Sequence, residues 1–413
     1  MRWFFYAGIA GYALRLLLIL VSDGCNDIFA WARFAHSIVI RGLEGTYQAE
    51  PLFNHPPLMG LWAAVALWAS QGLGWRFSIV FKLPGLVAEV LIGCILWSAF
   101  KRRGAPAEGR RAFAAYGLSL CSILISGFHG NTDPLYWMLG LLAIYLLETR
   151  RAAFWAGLAL GAAINVKLIP VLLVIPLATR LRSRAALARV AGGCLLGLAP
   201  YALVFLTFSS AGLRAFRHHV FAYQSYLEFW GIELFLRVGQ GLTRRAAPGF
   251  ATVLEELSRL YWHNGAWLVL LAVAGVALWQ WRKRGTQLDG YQWGAVVFSM
   301  FLVFGSGFGV QYTGAVVPWL LMVSISAGLR FATSAGVFIG LVYFYFLRVF
   351  YPAASLHLPY PADFVLPAFI TWMILATIWL NLMRGRLYLD RLPVIAQSKP
   401  DAAPVPTCAD GNQ

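Results

Sequence analysis

A carboxylate placed directly after a long apolar run can do acid–base chemistry at a membrane surface, and this chain has one. The stretch Ser22-Asp23-Gly24-Cys25-Asn26-Asp27 follows the first apolar run. It leads into a helix-period segment with Ile28, Trp31, Phe34, Ala35, Ile38 and Val39 on one face and Arg33, His36, Ser37 and Arg41 on the other, the pattern of an amphipathic helix in the headgroup layer. Asp27 then has two readings. It can cap the helix, which the spacing favours, or serve as a carboxylate whose low-dielectric neighbourhood raises its basicity. Asp23 reads as a turn residue. Farther on, Arg217-His218-His219 precedes Tyr223-Gln224-Ser225-Tyr226 and Phe229-Trp230. Adjacent histidines point to different faces of any regular element, and no cysteine or third histidine lies nearby, so a metal site is not expected. The aromatic rings alternating with polar side chains suit either a sugar face or an interfacial belt.

The elements that position these groups follow from composition. Of 413 residues, 60% are hydrophobic and only 12% charged, with mean hydropathy +0.68. Soluble domains carry about 25% charge, so a soluble enzyme, a disordered chain and a collagen-like chain are excluded. The 33 Lys and Arg outnumber 17 Asp and Glu, but they sit at the ends of apolar runs, where membrane topology places them without any nucleic-acid partner. Five cysteines at irregular spacing give neither a disulfide framework nor a metal motif.

The first run, residues 3–22, contains Arg15 and lacks a small-residue cleavage site, so it reads as a retained membrane helix. Further runs lie at about 77–99, 112–127, 133–148, 152–166, 168–179, 187–208, 264–281, 290–306, 313–328, 331–349 and 364–383. The expected fold is an all-α polytopic membrane protein of about twelve transmembrane helices, one domain over 1–391, with a disordered tail at 392–413. Arg15, inside its run, needs a partner, and Glu89 is the expected one in a buried structural pair. Basic clusters at 101–111, 150–151, 180–189, 282–284, 330 and 384–391 mark one side as cytoplasmic, whereas the short opposite loops near 130, 309 and 355 hold only Arg348. Whether Leu58 to Leu73 spans or lies on the membrane stays open on these grounds, although Pro56-Pro57 suits an interfacial helix. With the interfacial reading, the long segments 23–76 and 209–263 are external, and connections of that length are usually functional.

These residues carry a resemblance. Asp23 to Asp27 with Trp31, the Gly42-Leu43-Glu44-Gly45-Thr46-Tyr47 turn and Asn54-His55-Pro56-Pro57-Leu58 resemble the first external loop of the GT-C superfamily of integral-membrane glycosyltransferases. The resemblance continues in Lys82-Leu83-Pro84 with Glu89, His129-Gly130-Asn131-Thr132-Asp133, Asn165-Val166-Lys167 before Pro170, and Gln311-Tyr312 before Pro318, covering roughly residues 10–320 in the family's order. It implies an external first loop, a Pro-Pro-Leu helix along the membrane, and an inverting transfer of a hexose, mannose or glucose, from a polyprenyl-phosphate donor to a lipid-linked or other acceptor. It makes Asp27 the catalytic base, with Asp23 as second choice. A lipid-phosphate donor also needs cations near the headgroup plane, for which Lys82, Lys167, Arg217, His218 and Arg237 are the candidates. Lys82 and Lys167 read equally as snorkelling from helix ends, and Asp133, one residue before Pro134, equally as a helix cap.

His55, His129, Asp133, Tyr223, Gln311 and Tyr312 are the expected substrate contacts. His55 stands where the family often has tyrosine. No cofactor is implied, and a divalent metal is optional. The setting implied is a bacterial cytoplasmic membrane with the site facing outward. The competing class is a transporter or lipid flippase, which would show repeated halves with Gly/Pro-broken helices at matching positions; here the acidic residues gather at one face instead.

Overall fold

The computed structural model describes residues 3–181, 183–222, 230–282, 288–307, 309–350 and 362–387, and every regular element among them is helical. The first half comprises α1 (Trp3–Val21), α2 (Asn26–Ala49), α3 (Pro57–Leu73), α4 (Phe77–Arg102), α5 (Pro106–Gly117), α6 (Leu120–Ile123) with a wide π turn at Leu124–His129, α7 (Asp133–Glu148) and α8 (Ala153–Val166). A 3-10 turn (Ile169–Leu173) leads to α9 (Val174–Arg180), α10 (Arg184–Gly197), α11 (Ala199–Thr207) and α12 (Ser210–Phe216), which runs into a second π turn at Arg217–Phe221. Then come α13 (Gly231–Thr243), α14 (Pro248–Arg282), α15 (Gly290–Phe304), a 3-10 turn at Val310–Tyr312, α16 (Thr313–Val323), α17 (Ile325–Phe350) and α18 (Ala362–Met383). The tail 392–413 and Tyr223 lie outside the described residues.

Among the described residues, five helices are long and apolar enough to cross a membrane: Trp3–Val21, Phe77–Arg102, Pro248–Arg282, Ile325–Phe344 and Val365–Met383. Two bent pairs, Pro106–Gly117 with Leu120–His129 (46°) and Arg184–Gly197 with Ala199–Thr207 (53°), raise the number to seven if each is one span. The other apolar runs fall on helices such as Ala153–Val166 and Gly290–Phe304, 14 and 15 residues long. At 1.5 Å per residue these reach only about 22 Å against roughly 30 Å of hydrocarbon. One boundary moves: the break expected near 330 lies at Ser324, whose hydroxyl accepts from Ala327 N at 3.3 Å and starts α17, so Arg330 sits inside a helix.

The described residues of segment 209–263 are mostly helical, with α13 and the first turns of α14 in its second half. In 23–76, α2 buries Ile28, Trp31, Phe34, Ala35 and Ile38 as the periodicity requires, but Val39 is 62% exposed and Ser37 is buried. The reason is that α3 and Phe53 cover the apolar face, so it packs on protein. The expected 42–47 turn is a kink within α2, where Gly42 takes φ 72°.

Small residues let the helices close on one another. Gly157 and Gly161 of α8 face Gly193 and Gly197 of α10, and a Cβ on Gly157 would lie 2.0 Å from Val190 O. This is the small-residue spacing that brings membrane helices into backbone contact. Arg15 of α1 meets Glu89 of α4 at 3.3 Å, both side chains fully buried, as expected. It also donates to Tyr116 O (3.1 Å), Ser122 Oγ (2.9 Å) and Gly117 O. Those carbonyls end α5; Tyr116 O also accepts from Ser119 N at 3.1 Å, so Gly117 O is the acceptor that the bend before α6 leaves to the arginine.

Candidate active site: a carboxylate–imidazole pair between α2 and the 124–133 segment

Asp27 lies in the first turn of α2, but it does not cap it. The N-cap is Cys25 and makes no side-chain cap bond. Instead Asp27 Oδ2 accepts from Asn131 Nδ2 at 2.7 Å and is 2.8 Å from His129 Nε2. Oδ1 receives no bond among the described residues, and the side chain is 33% exposed. Burial by itself would raise the carboxyl's pKa, but His129, through charge and hydrogen bond, and then His55 and Lys167 bring it down to about 2. The group is therefore ionised throughout the neutral range. The stability it contributes is present above the usual carboxylate range and is lost only as pH falls toward 2.

The pairing depends on two segments a hundred residues apart being pressed together. Gly24 (φ +96°) and Gly130 (φ +76°) both take left-handed backbone, and a Cβ on Gly130 would lie 2.6 Å from the Lys82 side chain. Cys25 N donates to His129 O at 3.4 Å, and Cys25 Sγ approaches the same oxygen at 3.3 Å. Lys82 of α4 is 2% exposed and spans the joint, with Nζ 2.9 Å from Ser22 O and 3.5 Å from Gly127 O. Its ammonium thus fastens the backbone of both segments, whereas the sequence suggested a phosphate contact or a snorkelling side chain.

The second charged pair is Lys167–Asp133. Lys167 ends α8 in extended backbone, its Nζ 2.7 Å from Asp133 Oδ1 and 4.3 Å from the centre of the Tyr312 ring. Asp133 is fully buried, and its Oδ2 has no hydrogen-bond partner among the described residues. It does not cap α7 either, since Thr132 holds that place. His55 stacks on Trp31 at 4.2 Å, and its carbonyl accepts from Tyr47 OH at 2.6 Å. Burial and then the positive charge of Lys167 push the His55 imidazole down to about 3, against a smaller opposing pull from Asp27, so it is neutral. The structure thus places Asp27, His55, His129, Asp133, Lys167 and Tyr312 in one neighbourhood, with half-buried Gln311 adjoining Tyr312.

Other expected residues lie apart from it. Asp23 is half-exposed and bound to Arg76 (2.9 Å) and Ser78 (2.7 Å). Arg217 and His218 are exposed on the π turn after α12. That helix is fixed to the far end of α2, where Glu44 accepts from Ser209 N at 3.1 Å and Tyr47 packs on Phe216. Arg237 is paired with the buried Glu233 of its own helix at 2.8 Å. Two residues at the site had no signal in the sequence: Asn131, within a motif but assigned no role, and Tyr343 of α17, whose hydroxyl is 2.8 Å from His129 Nδ1. The latter looks like any apolar-helix tyrosine when read along the chain.

Cys25, Asp27 and His129 also place potential ligand atoms within 4.8 Å of one another. The 2.8 Å separation of His129 Nε2 and Asp27 Oδ2 is shorter than the spacing of roughly 3.3 Å set by two ligands about 2.0–2.1 Å from a tetrahedral ion. It is the geometry of a hydrogen bond.

The apolar helices define a multi-pass membrane protein, and a hydrogen-bonded carboxylate–imidazole pair lies among them. The model of glycosyltransferase family 87 matches residues 53–306, and the chain belongs to that family. It is a glycosyltransferase. No curated protein matches the chain. The matched region contains His55, Lys82, His129, Asp133, Lys167, Arg217, His218, Tyr223 and Arg237, while Asp23, Asp27, Gln311 and Tyr312 fall outside it.

Proposed function

We propose that this glycosyltransferase is of the GT-C type and inverting, moving a hexose, mannose or glucose, from a polyprenyl-phosphate donor to a lipid-linked or other acceptor. The observation that carries this reading is the Asp27 carboxylate, with Oδ2 held by two donors and Oδ1 open. Asp133, the other acid in the neighbourhood, is committed to Lys167. One available carboxylate suits a single displacement with a base and no glycosyl-enzyme. The acceptor oxygen bonds to the anomeric carbon as the carbon–oxygen bond to phosphate breaks. The lipid phosphate departs with that electron pair, and the acceptor's proton passes to Asp27 Oδ1. A carboxylate of such low basicity takes the proton late, when the attacking hydroxyl has become acidic through bonding to an oxocarbenium-like carbon.

Lys167 is the donor-phosphate contact, since its ammonium keeps two protons beyond the bond to Asp133, and Tyr312, Gln311, His55 and Asp133 line the sugar. Purified protein should transfer radiolabelled mannose or glucose from the polyprenyl phosphate to a bacterial lipid extract. Transfer from a nucleotide sugar alone would overturn the donor assignment. In the same assay Lys167→Met should raise the donor KM about ten- to a hundredfold, the worth of one charge-assisted bond, with the acceptor KM little changed. The double variant Lys167→Met/Asp133→Asn, which leaves no unpaired buried acid, should keep the donor defect. Equal changes in both KM values would return Lys167 to a structural role.

The twelve-helix count, with α3 along the interface, a single domain over 1–391 and a bacterial cytoplasmic membrane as the setting, belongs to this reading. It places 23–76 and 209–263 on the non-cytoplasmic side and rests on the grouping of basic residues at the opposite ends. Gln48 and Thr252 are exposed. Single cysteines there, in a cysteine-free background, should react with impermeant maleimide added outside intact spheroplasts. Reaction of Gln48→Cys only after the inner face is opened would reject both the topology and the external site.

A further inference from the structure

We infer that His129 and Tyr343 form a positioning relay that aims and holds the Asp27 base, with neither touching substrate. This rests on the assignment of Asp27 as base, and it gives His129 a different task from the substrate contact expected from the sequence.

Three observations carry it. His129 is 5% exposed and occupied at both ring nitrogens, Nε2 by Asp27 Oδ2 and Nδ1 by the Tyr343 hydroxyl, each at 2.8 Å. No ring nitrogen is left for a sugar. Tyr343 is 5% exposed, reaches the ring from α17, 214 residues away in sequence, and packs on Phe128 at 5.4 Å. It is thus locked by its own surroundings. Finally, Asn131 donates to the same Oδ2 at 2.7 Å, so both donors converge on one oxygen and leave Oδ1 to face the acceptor. With the ring charged beside Asp27, Nε2 donates to the carboxylate and Nδ1 donates to the Tyr343 hydroxyl oxygen. This is how a second hydrogen bond fixes the orientation of a working histidine. Without it the ring is free to turn, and the carboxylate with it.

The titratable groups facing Asp27 are His129 from the π turn, Cys25 from its own helix cap, His55 from the turn before α3 and Lys167 from the end of α8, with Tyr343 behind His129 and Lys82 behind the Ser22–Cys25 backbone. His55 titrates at about 3, so it does not change charge above pH 4.

The test uses full-length protein and the transfer assay with polyprenyl-phosphate [14C]mannose and [14C]glucose. Tyr343→Phe should lower kcat about tenfold and His129→Ala about a hundredfold, with both substrate KM values within twofold of wild type. The double variant should be no slower than His129→Ala, because residues acting in series do not add. Wild-type kcat/KM should be flat from pH 4.5 to 7.5 on the acid side, whereas His129→Ala should show an acid limb with its midpoint inside that window. A wild-type pH profile in His129→Ala, a defect confined to donor KM, or additive losses would overturn the relay. The outcome for the base is separate: loss of activity in Asp27→Asn with no defect in His129→Ala sinks the relay alone, and full activity in Asp27→Asn sinks the base itself. Solid-state 15N spectra of histidine-labelled protein supply a readout without turnover. The resonances absent from His129→Ala identify the ring, and they should show both nitrogens protonated in wild type and an Nδ1 shift displaced by loss of its acceptor in Tyr343→Phe. An unprotonated Nε2 in wild type would end the proposal.

Discussion

Asp27→Asn should lower turnover by about two to four orders of magnitude, the usual worth of a positioned base, in a protein that expresses and purifies like wild type. The amide oxygen of asparagine can still accept from His129 or Asn131, but it cannot take the acceptor's proton. Helix α2 should survive, because its N-cap is Cys25 and Asp27 makes no capping bond. The helix itself loses only a first-turn charge worth roughly 0.3–1 kcal/mol, with the charge pairing to His129 lost besides. Asp23→Asn is the matched control. Its carboxylate is half-exposed and paired with the half-exposed Arg76, an arrangement that contributes about 0–1 kcal/mol, so activity should fall less than tenfold. Single-turnover rates on detergent-purified protein, alongside gel-filtration profiles, decide the matter. Near wild-type turnover in a monodisperse Asp27→Asn sample would remove Asp27 from the chemistry.

Arg15→Met should destabilise the fold by about 3–5 kcal/mol, the cost of leaving a buried charge without its partner. Glu89 is fully buried, and its other contact is the hydroxyl of Ser122. The arginine also holds the carbonyls of Tyr116 and Gly117 where α5 ends, so its removal opens the bend that delivers Leu124–His129 to Asp27. Loss of activity should therefore accompany loss of stability, even though Arg15 touches no reacting group. Arg15→Met/Glu89→Leu, which removes both charges, should recover part of the thermal stability. Recovery stays partial because Gly117 O loses its donor, whereas Tyr116 O keeps Ser119 N at 3.1 Å. A melting temperature for Arg15→Met within two degrees of wild type in the same detergent would show the pair to be dispensable.

The reach of the sequence differs between these two sites. Arg15 and Glu89 can be paired from residue types and positions alone, because a charge inside an apolar run admits few solutions and each chain segment offers few partners. The helical class and the Ile28, Trp31, Phe34, Ala35 and Ile38 face are legible for the same reason: apolar periodicity is a local property, and burial follows it. Asp27, His129, Asp133 and Lys167 are legible as candidates because ordered motifs mark them.

Their roles are not. A carboxylate at the start of a helix carries the same local signal whether it caps or bonds elsewhere, and only the arrival of His129 and Asn131 from 102 and 104 residues away shows that Asp27 does not cap. Lys82 is likewise ambiguous along the chain, and its contacts to two backbone oxygens from separate segments appear only in the fold. Val39 falls outside the buried face because periodicity says that a face is apolar without saying how wide a neighbour covers it. Tyr343 has no local signal at all. Hydrophobicity and helix period are fixed by residues three and four apart, so the sequence alone determined that this is a helical membrane protein and which short stretches carry its charged side chains. Hydrogen-bond direction and charge pairing act over about 3 Å in space between residues of any separation, so only the tertiary structure decided which of those side chains meet Asp27, which oxygen they leave open and which backbone oxygens Lys82 holds.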